Sequence, residues 1–241
     1  MRYNLRDTTF VIPFFYDSPE RLENLNCILK FLTENFDADI IVSEVGETTK
    51  RREFFACEYF HIFENRDDGV FHRTQVINDG IKDATTKYVG IYDTDVVFLP
   101  ELIYEAVELL REGAMLSYPH SGKLVDIKRS YINDGIVIEH DSSAVESVGG
   151  ACFLNREGYI KCGMEQEGIV SWGPEDSLRY HIIKTLGHPI GRVKGTCWHI
   201  AHPPSSNSGV NKFTVENNLF YERIKKMSKE ELLIHIKSLN T

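Results

Sequence analysis

The sequence predicts one α/β domain with a mixed, mostly parallel central sheet. Three observations carry that expectation. Thr8 to Glu44 reads as strand, helix, strand, the unit that gives parallel pairing with a right-handed crossover. Strand-like and helix-like segments then keep alternating down the chain. No internal repeat or linker divides the 241 residues, a length that suits one large domain.

The elements follow in order. Thr8 to Phe15 is β-branched and aromatic, with Pro13 near its end, where a ladder N–H can be spared. Ser18 caps a helix that Pro19 opens, and Leu22, Leu25, Ile28, Leu29, Leu32 and Phe36 recur on its inner face. Asp39 to Ser43 is the second strand, and Glu44 sits at its carboxyl end, where open α/β sheets collect ligands. A solvated loop acid and a ribose or base contact are both open for Glu44. Arg51 to Glu64 reads as a short helix and a third strand, and Phe71 to Ala84 as a helix carrying Arg73 and Asn78. Tyr88 to Tyr92 is an apolar strand leading into Asp93-Thr94-Asp95. Pro100 opens a helix that Gly113 stops, and Ala114 to Tyr118 is a short strand.

The middle is less regular. His120 to His140 suggests a β-ribbon or long loop turning at Asn133-Asp134-Gly135. Ala144 to Leu154 reads as a strand containing Gly149-Gly150, a pairing that signals a bulge or a close approach. A short helix (Arg156 to Cys162) and a glycine-punctuated loop (Gly163 to Gly173) come next. Pro174 to Leu186 is a helix with Glu175 and Asp176 in its first turn and Gly187 at its stop. Ile190 to Ile200 is a last strand, 201–211 a Pro/Ser/Asn loop, and 213–239 a helical tail with a capping box at Ser228-x-x-Glu231.

Composition excludes several classes. Hydrophobic residues at 42% and charged residues at 26% mark a soluble globular chain. A net charge of -9 argues against a general nucleic-acid binder, although a nucleotide needs only a local cationic site. Five scattered cysteines without a Cys-x-x-Cys argue against a disulfide framework or a structural zinc, and they fit a reducing cytoplasm. No signal core or membrane-spanning run is present, which leaves peripheral membrane association open.

Three polar clusters carry candidate chemistry. Asp93 and Asp95, two residues apart in extended chain, would point the same way and clamp a hard divalent cation; a strand-end cap is the bland alternative. Trp172-Gly173-Pro174-Glu175-Asp176 sets an aromatic beside two acids, which pairing with the helix dipole would also explain. His199 and His202 stand where an apolar strand runs out, a pattern that suits metal ligation.

The order of these clusters resembles nucleotide-sugar glycosyltransferases of the GT-A fold, in the branch of animal β-1,4-galactosyltransferases and bacterial chondroitin-polymerase-like enzymes. The resemblance runs from about Thr8 to Asn211. It implies that Pro13 approaches the uridine within Ile12-Pro13-Phe14, and that Arg73 and Asn78 of Phe71-x-Arg73-x-x-x-x-Asn78-x-Gly80 contact the nucleotide. Asp93 would lie toward the ribose and sugar, and Asp95 would bind the metal. Gly149 and Gly150 would flank the donor sugar, and Trp172 would offer it or the acceptor an apolar face. In Trp172-Gly173-x-Glu175-Asp176 the second acid would be the base, with Glu175 on the acceptor. His202 is the implied metal ligand, and His199 falls where the galactosyltransferases carry a methionine ligand. The implied halves are 1–118 for the nucleotide and 119–212 for the acceptor, with 213–241 a helical tail.

The chain departs from that family's pattern where Phe14, Phe15, Tyr16 and Asp17 replace the arginines after the first-strand proline, so the diphosphate contacts must come from elsewhere. Ser177 replaces a further acid, and 163–168 lacks the family's usual run. The resemblance implies inverting transfer of a sugar, Gal, GalNAc or a related hexose, from a UDP-sugar donor to a glycan or glycoconjugate acceptor, with Mn²⁺ preferred and Mg²⁺ a substitute. Two other readings are a degenerate protein that only binds a nucleotide sugar or glycan, and a sugar-phosphate nucleotidyltransferase. Asp17-Ser18-Pro19-Glu20 lacks the glycine-rich, cationic loop that the latter class resembles.

Overall fold

A computed structural model describes residues 2–54, 59–127, 147–204, 207 and 209–239. The central sheet has seven strands: β1 (Tyr3–Phe15), β2 (Phe36–Gly46), β3 (Phe60–Asn65), β4 (Tyr88–Tyr92), β6 (Leu116–Tyr118), β8 (Ala151–Asn155) and β9 (Ile190–Arg192). Their order is β3-β2-β1-β4-β8-β6-β9, and only β8 runs antiparallel to its neighbours. A second sheet joins β5 (Val96–Val97), β10 (Thr196–Ile200) and β7 (Lys123–Ile127) in the order β5-β10-β7.

Strand β1 is buried on both faces, which is why it reads as a continuous apolar run. Phe10, Ile12 and Phe14 enter one core with α1 (Pro19–Asn35) and α3 (Pro100–Arg111). Val11 enters the other, with α2 (Arg73–Asp83) and α5 (Glu175–Leu186). Short α4 (Arg156–Lys161) follows β8, and α6 (Thr214–Lys225) and α7 (Lys229–Leu239) form the tail. The helix signals hold at atomic detail. Ser18 Oγ accepts from Arg21 N at 3.2 Å, Gly187 ends α5 at φ +85°, and Ser228 and Glu231 exchange both capping-box bonds. Gly80 lets α2 lie on β1, since a Cβ there would meet Val11 Cγ1 at 2.5 Å.

Several expectations need correction. The segment from Ile190 to Ile200 is two strands in different sheets, because the chain breaks at Lys194-Gly195, where a Cβ on Gly195 would strike Leu102 Cδ1 at 2.4 Å. Gly149-Gly150 precedes β8 instead of lying within it. Asp93-Thr94-Asp95 is a turn, so its two carboxylates diverge. The turn at 133–135, most of the ribbon at 120–140, the start of the strand at 144 and Cys57 lie outside the described residues. No disulfide links the other four cysteines. No helix among the described residues is long and apolar enough to cross a membrane.

Candidate active site

A cavity of about 390 Å³ opens at the carboxyl ends of β1 and β4, where the parallel strands of an α/β sheet leave a crevice. Its walls include Pro13, Arg73, Asp93, Asp95, Gly150, Trp172, Glu175, Asp176, His199 and His202. Ten of the thirteen residues singled out from sequence therefore meet in one place. Gly149 adjoins it, touching the hollow between Gly150 and Asp176.

At one end stand Asp95, His199 and His202, with one potential ligand atom from each lying within 4.8 Å of the others. The sheet geometry brings them together. Strand β10 pairs antiparallel with β5, setting His199 opposite Val96, and Ile200 N donates to Asp95 O at 2.6 Å. The chain leaves β10 after Ile200, so His202 swings back and its ring centroid lies 5.4 Å from that of His199. Asp95 Oδ2 is 3.0 Å from His202 Nε2 and 3.9 Å from His199 Nε2. On each ring Nδ1 has its own acceptor: Asp126 Oδ1 at 2.8 Å for His199 and Pro203 O at 2.9 Å for His202. Such partners fix the ring and leave Nε2 to ligate, so this oxygen and imidazole set fits a divalent transition metal. Burial alone would raise the Asp95 pKa. The His202 hydrogen bond and the His199 and Arg21 charges outweigh burial and bring it below the usual carboxylate value. The same bond raises His202.

At the other end the acids share two buried arginines. Arg73 donates to Asp93 Oδ1 at 2.6 Å and to Glu175 Oε1 at 3.2 Å, and it lies 3.7 Å from Asp176 Oδ1. Burial would lower the Arg73 pKa, but these three carboxylates hold it well above its ordinary value. Arg179 Nη1 lies 2.9 Å from Asp176 Oδ1, and Arg179 Nε donates to the buried Glu165 at 2.5 Å. Burial pushes Glu175 up to about 8 despite Arg73, and its Oε2 has no hydrogen-bond partner among the described residues. Burial also raises Asp93, with Arg73 opposing. Gly150, at φ +89°, accepts from Asp93 N at 2.9 Å and holds the turn in place.

Two of the candidate nucleotide contacts lie back from the cavity. Glu44 is 1% exposed and lies outside the cavity. It accepts from Thr49 Oγ1 and Lys50 N and sits 2.8 Å from His61 Nε2. Asn78 is also buried, bonded to Glu165 N and O and to Glu167 Oε1. It thereby pins the 163–173 loop, which Thr74 and Phe71 also tie down through Ile169 O and Ser171 N. Sequence reasoning missed Arg21, Phe15 and Asn207 on the cavity wall and Arg179 behind it. Arg21 and Arg179 carried a signal, a cation in the first turn or two of a helix beside the site. Phe15 and Asn207 carried none beyond their strand and loop positions.

No protein-family model and no curated protein match the sequence. Solved structures do match it, and they define the class: this is the fold of GT-A glycosyltransferases. The catalytic domain of Drosophila beta1,4-galactosyltransferase 7, in complex with xylobiose, is similar over 92% of this chain and 82% of its own, at 18% identity and a TM-score of 0.58. A mutant of that enzyme in complex with manganese, UDP-Gal and xylobiose is similar over 92% and 79%, at 17% identity and a TM-score of 0.54. GalNAc-T7 with UDP, GalNAc and Mn²⁺ is similar over 90% of this chain but 47% of its own, at 11% identity and a TM-score of 0.61.

Proposed function

We propose that this protein is a metal-dependent, inverting glycosyltransferase. It would move a hexose, with Gal and GalNAc the first candidates, from a UDP-sugar to a hydroxyl of a glycan or glycoconjugate. One observation carries the reading: a metal-competent Asp95/His199/His202 cluster and a Trp172/Glu175/Asp176 cluster face one cavity at the strand ends. The similarly folded enzymes in complex with UDP-Gal, manganese and xylobiose support the same ligand classes.

Asp95, His199 and His202 would hold Mn²⁺ in preference to Mg²⁺, and the bound ion's charge would offset that of the departing diphosphate. Asp176 takes the proton of the acceptor hydroxyl. Its Oδ1 is engaged by Arg179, which leaves Oδ2 for that proton. The hydroxyl attacks from the face opposite the diphosphate, so the anomeric centre inverts. Glu175, pushed up to about 8 by burial and so protonated at neutral pH, lies beside Asp176 on the cavity wall and positions the acceptor sugar. Trp172, half exposed at the rim, stacks on a sugar ring. Ser171, Trp172, Pro204 and Asn207 bring the two flanking loops to the cavity mouth, where they exclude water that would hydrolyse the donor.

The test is a panel of nucleotide sugars incubated with the protein and Mn²⁺, with and without chelator, scored for released UDP and for transfer to glycan acceptors. Chelator-sensitive consumption of a UDP-hexose is the expected result. A protein that neither binds nor consumes any nucleotide sugar would contradict the proposal.

A further inference from the structure

Arg21 sits where a bound cation would be contested. It lies in the first turn of α1, and Asp17 Oδ1 accepts from its Nε at 3.2 Å, which pins the stem at the cavity wall. Its two terminal nitrogens then reach the candidate metal cluster. Nη1 donates to Asp95 Oδ2 at 3.1 Å, and Nη2 lies 3.4 Å from His202 Nε2. The second contact is frustrated. His202 Nε2 cannot donate to Asp95, 3.0 Å away, and also accept from a guanidinium. A divalent ion held by the same two atoms would settle this conflict, because it takes the Nε2 lone pair and repels the guanidinium.

The charge around the cavity says where the guanidinium goes. Besides the protonated Glu175, four carboxylates line it (Asp17, Asp93, Asp95 and Asp176), a wall that repels a nucleoside diphosphate. The lining arginines among the described residues are Arg21 and Arg73, and Arg73 is committed to Asp93 and Glu175. Arg21 is the one that metal entry releases. Asp17 keeps the stem at the cavity wall while the guanidinium turns as one plane, and a planar fork matches phosphate oxygens. The N-terminus of the 17-residue helix α1 adds a favourable field for an anion at that place.

We propose that Arg21 is the counter-ion of Asp95 when the site is metal-free and becomes the diphosphate contact once a divalent ion displaces it. The residue thereby supplies the phosphate recognition that Phe14, Phe15 and Tyr16 cannot. This inference rests on the metal-dependent nucleotide-sugar reading.

The experiment is a pair of titrations on the full chain, Mn²⁺ alone and then UDP in saturating Mn²⁺, for the parent, Arg21→Ala and Arg21→Lys. Removing a competing cation should tighten Mn²⁺ alone by about tenfold in Arg21→Ala, while UDP weakens by about tenfold or more. Arg21→Lys keeps the charge but loses the fork, so its Mn²⁺ affinity should stay near parental while UDP still weakens. The opposite signs distinguish this role from a structural one, which would weaken both. Unchanged or weaker Mn²⁺ binding in Arg21→Ala, or unchanged UDP binding, overturns the proposal while the donor reading stands. A parent that binds neither Mn²⁺ nor UDP removes both. Should Arg21→Ala fail to fold, Arg21→Gln, which keeps an amide donor for Asp17, takes its place in the same titrations.

Discussion

A Cβ placed on Gly149 would lie 2.8 Å from Asp176 Oδ2. The oxygen assigned to the acceptor proton thus depends on a missing side chain on the facing loop. Gly149→Ala must push the carboxylate aside, and misplacing a reacting group by such an amount lowers turnover by about 10²-fold. Mn²⁺ and UDP affinities should stay parental, because the metal cluster lies at the other end of the cavity. Parental turnover in this variant would show that Asp176 is not held against Gly149 during the reaction.

Asp176 and Glu175 should separate kinetically. Loss of a general base lowers turnover by about 10²–10⁴-fold, whereas loss of a binding contact chiefly raises the Michaelis constant. Asp176→Asn should therefore bind Mn²⁺ and UDP yet transfer almost no sugar. Glu175→Gln should impair acceptor use more than donor hydrolysis. Steady-state rates with a donor and acceptor decide between them, and near-parental turnover in Asp176→Asn removes it as base.

Glu175 also makes stability depend on pH. Its folded pKa of about 8 exceeds the ordinary 4.5, so the native state binds the extra proton. The resulting stabilisation is complete below about pH 4.5 and is lost as pH rises through about 8. Glu175→Gln lacks that dependence. Thermal melts from pH 5 to 8.5 should show the variant gaining on the parent as pH rises, and a constant difference across that range would contradict the assignment.

Much of this architecture was legible in the sequence because it rests on local rules. Ser18-Pro19, Gly187 and Ser228-x-x-Glu231 mark helix ends by hydrogen bonding that needs no tertiary partner. Asp93, Asp95 and both histidines were visible as polar groups where apolar strands run out, and Trp172, Glu175 and Asp176 as an aromatic beside two acids at a helix start. What stayed hidden depends on long-range packing. Nothing local shows that Asp93 turns toward Arg73 while Asp95 turns toward Arg21. Asn78 looked like a nucleotide contact because the motif places it on the site helix, but its amide is consumed by the Glu165 backbone. Glu44 sits at the right strand end, yet Thr49, Lys50 and His61 occupy its oxygens.

Arg179 holds the floor of the site. It and Glu165 form a buried ion pair, each side chain 1% exposed. Arg179→Leu leaves Glu165 with the Tyr159 hydroxyl and no cation, a kind of loss that costs about 3–5 kcal/mol. Urea unfolding of the variant measures it. A change below about 0.5 kcal/mol, the range of ordinary surface substitutions, would mean that Glu165 does not depend on Arg179.

The most direct measurement is calorimetric titration of UDP into the parent and Asp95→Ala, each with and without Mn²⁺. Asp95 holds the centre of the candidate metal cluster, between His199 and His202. The parent should bind UDP with Mn²⁺ and lose that binding when the ion is chelated, and Asp95→Ala, folded by circular dichroism, should bind no UDP in either condition. Equal UDP affinity in the two proteins with Mn²⁺ present, or binding by the parent that ignores the chelator, would contradict metal-dependent nucleotide recognition at this site.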